Sequence, residues 1–91
     1  MPLFTISLDF RQGTYLAQVH ARTPELAAQR WSRNLDASNI QGLGPSSKHQ
    51  LIEGMEQEDA AAIDGLKNVW CLSASLRGGF ALVHVFQTVP C

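Results

Sequence analysis

Residues 4–21, FTISLDFRQGTYLAQVHA, hold the pattern on which the fold depends. Phe4, Ile6, Leu8 and Phe10 alternate with Thr5, Ser7 and Asp9, the period-two signature of a strand with one buried face. The alternation resumes after Arg11-Gln12-Gly13, and a two-residue turn at Gln12-Gly13 makes the segment a hairpin. In that register Phe10 faces Tyr15, Leu8 faces Ala17, Ile6 faces Val19 and Phe4 faces Ala21. Thr5, Ser7 and Asp9 then oppose His20, Gln18 and Leu16 on the other side. A slip of one residue would mix the two faces, so their identity is strongly specified.

A second hairpin lies near the end of the chain, over 69–89. A turn at Gly78-Gly79 pairs Leu76 with Ala81, Ala74 with Val83 and Leu72 with Val85, with Trp70 at the end of this apolar face. The opposite face pairs Ser75 with Leu82, Ser73 with His84 and Cys71 with Phe86. The strand from Phe80 to Val89 is apolar on both sides, as a central or doubly covered strand is.

Thr23-Pro24-Glu25 starts a helix, because Thr can cap free amides, Pro suits the first helical position and Glu favours the positive end of the dipole. The helix is expected over 24–35, with Ala27, Ala28, Trp31 and Leu35 as its apolar stripe and Trp31 as its anchor. Residues 36–46 read as a loop, and a shorter helix over 47–57 presents Leu51, Ile52 and Met55. Residues 59–65 read as another helical turn or an irregular return.

These elements define an α+β fold in the order β-β-α-(α)-β-β, a four-stranded antiparallel sheet with helices packed on one face. The 91 residues form one compact domain, 1–91, which at this size buries roughly 60 to 65 % of its unfolded surface. The expected core is Phe4, Ile6, Leu8, Phe10, Val19, Leu26, Trp31, Leu35, Trp70, Leu72, Val83 and Val85.

Composition narrows the function classes. A net charge of −1 with no basic cluster gives no pull toward nucleic acid or anionic lipid. Cys71 and Cys91 are too few for a disulfide framework, and neither a signal peptide nor a membrane-length apolar run is present. The expectation is a cytoplasmic chain with no membrane and no nucleic-acid partner.

The candidate chemistry is sparse. His20 and His84 fall on the non-core face with Asp9 and Cys71, yet tetrahedral zinc needs several convergent donors, and no ligand spacing is present. Neither a metal nor a cofactor is expected. Ser73 opposite His84 resembles a nucleophile and base without the strained elbow that exposes a catalytic serine. Cys71, in the apolar run Val69-Trp70-Cys71-Leu72, reads as a small hydrophobe. No catalytic residue is assigned, and enzyme activity is not expected.

The mixed face formed by Leu16, Ser73, Ser75, Phe80, Leu82, His84 and Phe86 is the feature that calls for a function. The second helix could cover it, a second copy of the chain could bury it, or Ser73, Ser75 and His84 could line a small-molecule pocket. Histidine gains charge as the pH falls from about 7 to 5. An interface containing His84 is therefore expected to weaken on acidification unless an acidic group meets the imidazole.

The run FTISLDFRQGTYLAQVHA followed by TPELAAQRW, with NVWC opening the third strand, resembles small uncharacterised bacterial proteins carried on integron gene cassettes. That resemblance implies a compact, often self-associating α+β fold and no catalytic residue. Gly13, Tyr15, Ala17, Val19, Thr23, Glu25 and Ala27 also resemble the strand-to-helix pattern of HicB-type antitoxins. Here the strand enters the helix at once, and no DNA-binding segment follows. The functional expectation is a self-associating interaction or accessory module, a homodimer first, with an unidentified protein partner, a small-molecule binder or an antitoxin-like regulator as alternatives.

Overall fold

The computed structural model describes residues 2–36, 38, 40, 42–77 and 79–88. Strands β1 (Leu3–Phe10) and β2 (Gly13–His20) precede helices α1 (Pro24–Asn34) and α2 (Pro45–Gln57). Strands β3 (Ala61–Ala62), β4 (Val69–Leu76) and β5 (Gly79–Thr88) follow. The strands form one antiparallel sheet in the order β2-β1-β5-β4-β3. The sheet thus has five strands rather than four, because Ala61–Ala62, within the expected helical turn or return, pairs with Trp70 and Cys71.

The first hairpin keeps its expected faces in a register shifted by two residues. Phe10 pairs with Gly13, Leu8 with Tyr15, Ile6 with Ala17 and Phe4 with Val19, so the turn is Arg11-Gln12. Both turn residues have positive φ, 49° and 68°, as a type I′ turn requires. Gly13 is therefore the first residue of β2, and its missing side chain makes room for Tyr15. A Cβ there would lie 2.7 Å from the Tyr15 hydroxyl oxygen. The shift also sets Thr14 beside Asp9, whose Oδ1 accepts from the threonine hydroxyl at 2.8 Å.

The second hairpin shifts in the same way. Leu76 pairs with Gly79, Ala74 with Ala81 and Leu72 with Val83, and Gly79, with φ 144°, opens β5 instead of closing a Gly78-Gly79 turn. Gly78 and Val89 lie outside the described residues. A shift of two conserves which face each side chain takes, so the buried set survives both corrections.

The joint between the hairpins is β1 with β5. Leu8 faces Val83, Ile6 faces Val85 and Phe10 faces Ala81, and all six are buried. β5 is central, as its two-sided apolar pattern requires.

Both helices pack on this buried face. Thr23 caps α1 through its side-chain oxygen, which accepts from Leu26 N at 3.1 Å, and Pro24 holds the first helical position. Ala27, Ala28 and Trp31 are buried. α2 begins at Pro45, two residues before its expected start, because Pro45 suits the first turn as well as it suits a loop. It buries Leu51 and Met55 and crosses β4 closely at Gly54. A Cβ at that glycine would lie 2.8 Å from the Ala74 Cβ. The Arg33–Glu56 ion pair ties the two helices together.

The core departs from expectation at several places. Leu26 is 44 % exposed, because it lies off the Ala27–Trp31 stripe on the solvent side of α1. Val19, Leu35 and Trp70 are half-buried, packed against the cluster rather than inside it. Ile40 and Leu43, in the segment read only as loop, are buried.

Trp31→Ala is expected to lower stability by about 3 to 5 kcal/mol, because it removes the largest side chain that α1 places on the sheet. Chemical denaturation checks this, and a small change in midpoint would place Trp31 outside the core. Gln12→Gly should act in the opposite direction. It relieves a left-handed side-chain clash of about 1 kcal/mol or more, and thermal unfolding should show a higher midpoint.

Candidate functional site

The candidate site is the sheet face opposite the helices. Because side chains alternate along a strand, burying Phe4, Ile6, Leu8, Phe10, Val83 and Val85 under the helices sends their neighbours outward. Leu16 is 71 % exposed, Phe80 59 % and Phe86 38 %, and Leu82 and His84 are half-buried by the strands alongside. α2 does not cover this face. It packs on the other side of β4, over Ala74, which leaves the second copy and the small-molecule pocket of the expected alternatives.

The shifted register decides which site residues meet. Along one rung, Leu16 faces Ser7, Ser7 faces His84, His84 faces Cys71 and Cys71 faces Ala61. On the next, Thr14, Asp9, Leu82 and Ser73 run side by side, and Phe80 stands opposite Ser75. Ser73 is therefore paired with Leu82 and not with His84, so the supposed nucleophile and base are not cross-strand partners. Cys71 takes the place beside His84 that Ser73 was expected to hold. His20 lies at the far end of β2, roughly 16 Å from His84 by strand spacing, and the two histidines do not form a pair.

His84 Nδ1 is 4.0 Å from Asp9 Oδ2, and the imidazole lies 6.4 Å from the Phe86 ring at an interplanar angle of 34°. The carboxylate is the acidic group that the imidazole meets on this face. Around it the surface is tied by short polar contacts. Thr5 Oγ1 and Thr88 Oγ1 are 2.5 Å apart, and Gln18 Nε2 donates to Thr5 Oγ1 at 3.1 Å. The face is thus apolar along β5 and at Leu16, and hydrogen-bonded where β1 and β2 carry threonine, aspartate and glutamine.

Cys71 is half-buried on this same face rather than enclosed. Burial pushes its thiol pKa up, and the negative charge of Glu58 pushes it further the same way. A nucleophilic cysteine needs the reverse, a thiolate stabilised by positive surroundings. The thiol donates to the carbonyl oxygen of Leu72, at 3.9 Å, rather than to the imidazole. Cys71 and His84 therefore share a rung, with Asp9 on the next, without the hydrogen bonds that would make the three a catalytic relay. Among the described residues, no group of three or more histidine, cysteine, aspartate or glutamate side chains is placed to hold a metal.

The pocket drawn from sequence is displaced. A cleft of about 610 Å³ lies between α2 and the free part of β4, with Ser73, Ser75 and Phe80 on one wall and Gln50, Glu53 and Glu58 on the other. His84 is not part of it. The acidic residues there are exposed, and Glu53 pairs with His49 at 2.9 Å along the helix. Sequence reasoning missed this cleft because the placement of α2 over Ala74 depends on Gly54, which reads in the sequence as a weak point in a helix.

The residues shared with the antitoxin pattern have structural work of their own. Gly13 makes room for Tyr15, Thr23 caps α1, Ala27 packs in the core, and Glu25 Oε2 accepts from Ala60 N at 3.2 Å. No family model, curated protein or solved structure matches the chain. No helix is long and apolar enough to cross a membrane, among the described residues.

The raised Cys71 pKa makes a kinetic prediction. At pH 8, iodoacetamide should label Cys71 more slowly in the folded protein than in urea, as followed by peptide mapping so that Cys91 is counted separately. Equal rates would show a thiol that the fold does not suppress, and faster labelling in the fold an activated one. As pH rises through the ordinary thiol range, the unfolded chain loses this proton first, so the Cys71 contribution disfavours the fold at high pH.

Proposed function

We propose that the protein is a self-associating interaction module, without enzymatic activity, that docks through its open sheet face, and that it serves as an accessory protein of a bacterial mobile gene cassette. The observation that carries the reading is the exposure of Leu16, Phe80 and Phe86 on one side of a sheet whose helices both lie on the other. Four strands set about 4.8 Å apart and roughly 26 Å long, with the two-residue β3 beside β4, make a surface of about 500 Å². Two copies meeting face to face would bury on the order of 1,000 Å², the threshold for a specific interface. A symmetric contact also suits the chemistry, since the apolar β5 row of one copy can meet that of another without burying an unpaired charge.

The cleft beside α2 supports a second reading, a small polar ligand held against Phe80 by Ser73, Ser75 and Gln50. Its wide acidic wall favours a cationic ligand over an anionic one. The two readings differ at Leu82, which lies on the open face and outside the cleft.

Sedimentation of the wild type at micromolar concentration should show a dimer or higher symmetric assembly. Leu82→Asp should stay folded and sediment as a smaller species than the wild type, since its half-buried position tolerates charge when the face is open and not in the face-to-face contact. A monomeric wild type, or an unchanged assembly of folded Leu82→Asp, would sink the face-to-face reading.

A further inference from the structure

The two edges of the sheet are unlike. At the β4 edge, β3 covers Trp70 and Cys71, and the Gln50 side chain of α2 accepts from Arg77 N at 2.6 Å. At the other edge, β2 pairs with β1 alone among the described residues and reads Gly-Thr-Tyr-Leu-Ala-Gln-Val-His. It has no Lys, Arg, Asp, Glu or Pro, and its eight pairs with β1 run without a bulge. Natural edge strands usually carry one of these devices, because a bare edge templates pairing with another strand.

A single hydrogen bond shows which backbone groups point outward. Arg30 Nη1 donates to the His20 carbonyl oxygen at 2.7 Å, so that carbonyl is turned away from β1. Ladder groups alternate along an antiparallel strand. The N–H and C=O groups of Thr14, Leu16 and Gln18 therefore point outward too, and all three residues are exposed. The next inward step, Ala21 N donating to Pro2 O at 3.1 Å, fits the same alternation.

We propose that β2 pairs antiparallel with β2 of a second copy about a two-fold axis at Leu16, joining two five-stranded sheets edge to edge. Leu16 then faces its own counterpart, and Thr14 faces Gln18 in both directions. Every outward group of these three residues gains a partner, two bonds to each pair, and the His20 carbonyl stays with Arg30. An axis at Ala17 would instead set Thr14 against His20, whose carbonyl is already engaged.

Side-chain sizes favour a second copy as the occupant. On the helix side, the Leu16 axis sets Tyr15 opposite Ala17, a large residue against a small one, twice by symmetry. A groove of about 330 Å³ lined by Ala17, Val19, Trp31 and Leu35, with Arg30 and Asp36 also on its lining, runs beside the edge and would receive the second copy's Tyr15 ring. The strand residues that pair, Thr14 to Gln18, carry no charged side chain. The pairing also carries the open face across both copies without a break, yet it uses a different surface and stands or falls apart from the face-to-face reading.

Amide hydrogen exchange followed residue by residue at low and high protein concentration tests it. The amides of Thr14, Leu16 and Gln18 should slow by at least about tenfold at high concentration, while those of Tyr15, Ala17 and Val19 stay protected throughout by β1. Gln18→Pro removes one outward N–H and none of the backbone bonds to β1, so it should abolish the concentration-dependent protection at Thr14 and Leu16. Gln18→Ala, which loses only the side-chain bond to Thr5, should keep it. Leu82→Asp should also keep it, which separates this contact from the face. Exchange at the three amides that is independent of concentration, or equal protection in Gln18→Pro, overturns the proposal. Protection produced by an added peptide of alternating valine and threonine, and not by raised concentration, overturns the second copy as the occupant. The wild-type measurement needs no variant to fold.

Discussion

The pairing of β1 with β5 is the interaction on which the rest of the structure depends. It joins residues 3–10 to residues 79–88, nearly the whole chain apart, and turns two separate hairpins into one sheet. A lone hairpin is marginal in water, and three or more strands with a covered apolar face are needed for independent stability. Ile6 opposite Val85 and Leu8 opposite Val83 provide that continuous apolar centre, on which Trp31, Leu51 and Met55 then pack. The loop that must close to form this contact is long, and its entropy has to be offset by burial that exists only once both hairpins have met.

The same pairing accounts for the open face. With β5 in the centre, both of its sides are flanked by strands, and its apolar residues at 80, 82 and 86 have nowhere to go but outward. The described residues form two α-helices, and both lie over the other face. α1 spans the β2, β1 and β5 side, and α2 sits over β4, where Gly54 lets it approach Ala74. An uncovered face with Leu16 and Phe80 exposed is thus a consequence of strand order and of where the two helices pack.

Much of this was legible in the residues, and what was not has a common cause. The alternation in 4–10 and 14–20 determined which side chains face the core, because period two admits only two choices. It did not determine register to better than two residues, since steps of two preserve faces, and local turn chemistry had to decide between them. There the sequence favoured glycine in the turn, whereas Tyr15 claims the space above Gly13 and pushes the turn back onto Arg11-Gln12. Ile40 and Leu43 were hidden because a glycine- and asparagine-rich segment reads as solvent-exposed loop whether or not it folds back over a helix. At the candidate site, membership of the face by Leu16, Phe80, Leu82, His84 and Phe86 followed from parity alone. Which of them touch, and the replacement of Ser73 by Cys71 beside His84, followed from the register and could not be read without it.

Faces and edges place different demands on a sheet, and this chain treats them differently. A face is specific through its side chains, so Asp9, Thr14, Gln18 and Thr88 can limit what docks there while Leu82 and Phe86 favour association. An edge is specific mainly through its backbone, which is the same for every extended segment, so protection must come from charge, proline, bulges or cover. The β4 edge has such cover in β3 and Gln50, whereas on β2 the hydrogen bond from Arg30 to His20 occupies one carbonyl at the end of the strand and leaves the middle bare. If that bond also limits the register available to an incoming strand, it converts an indiscriminate edge into one that accepts a single symmetric alignment. The difference between aggregation and a closed dimer then rests on one arginine, because an isologous contact about a two-fold axis uses up both edges and offers none to a third chain.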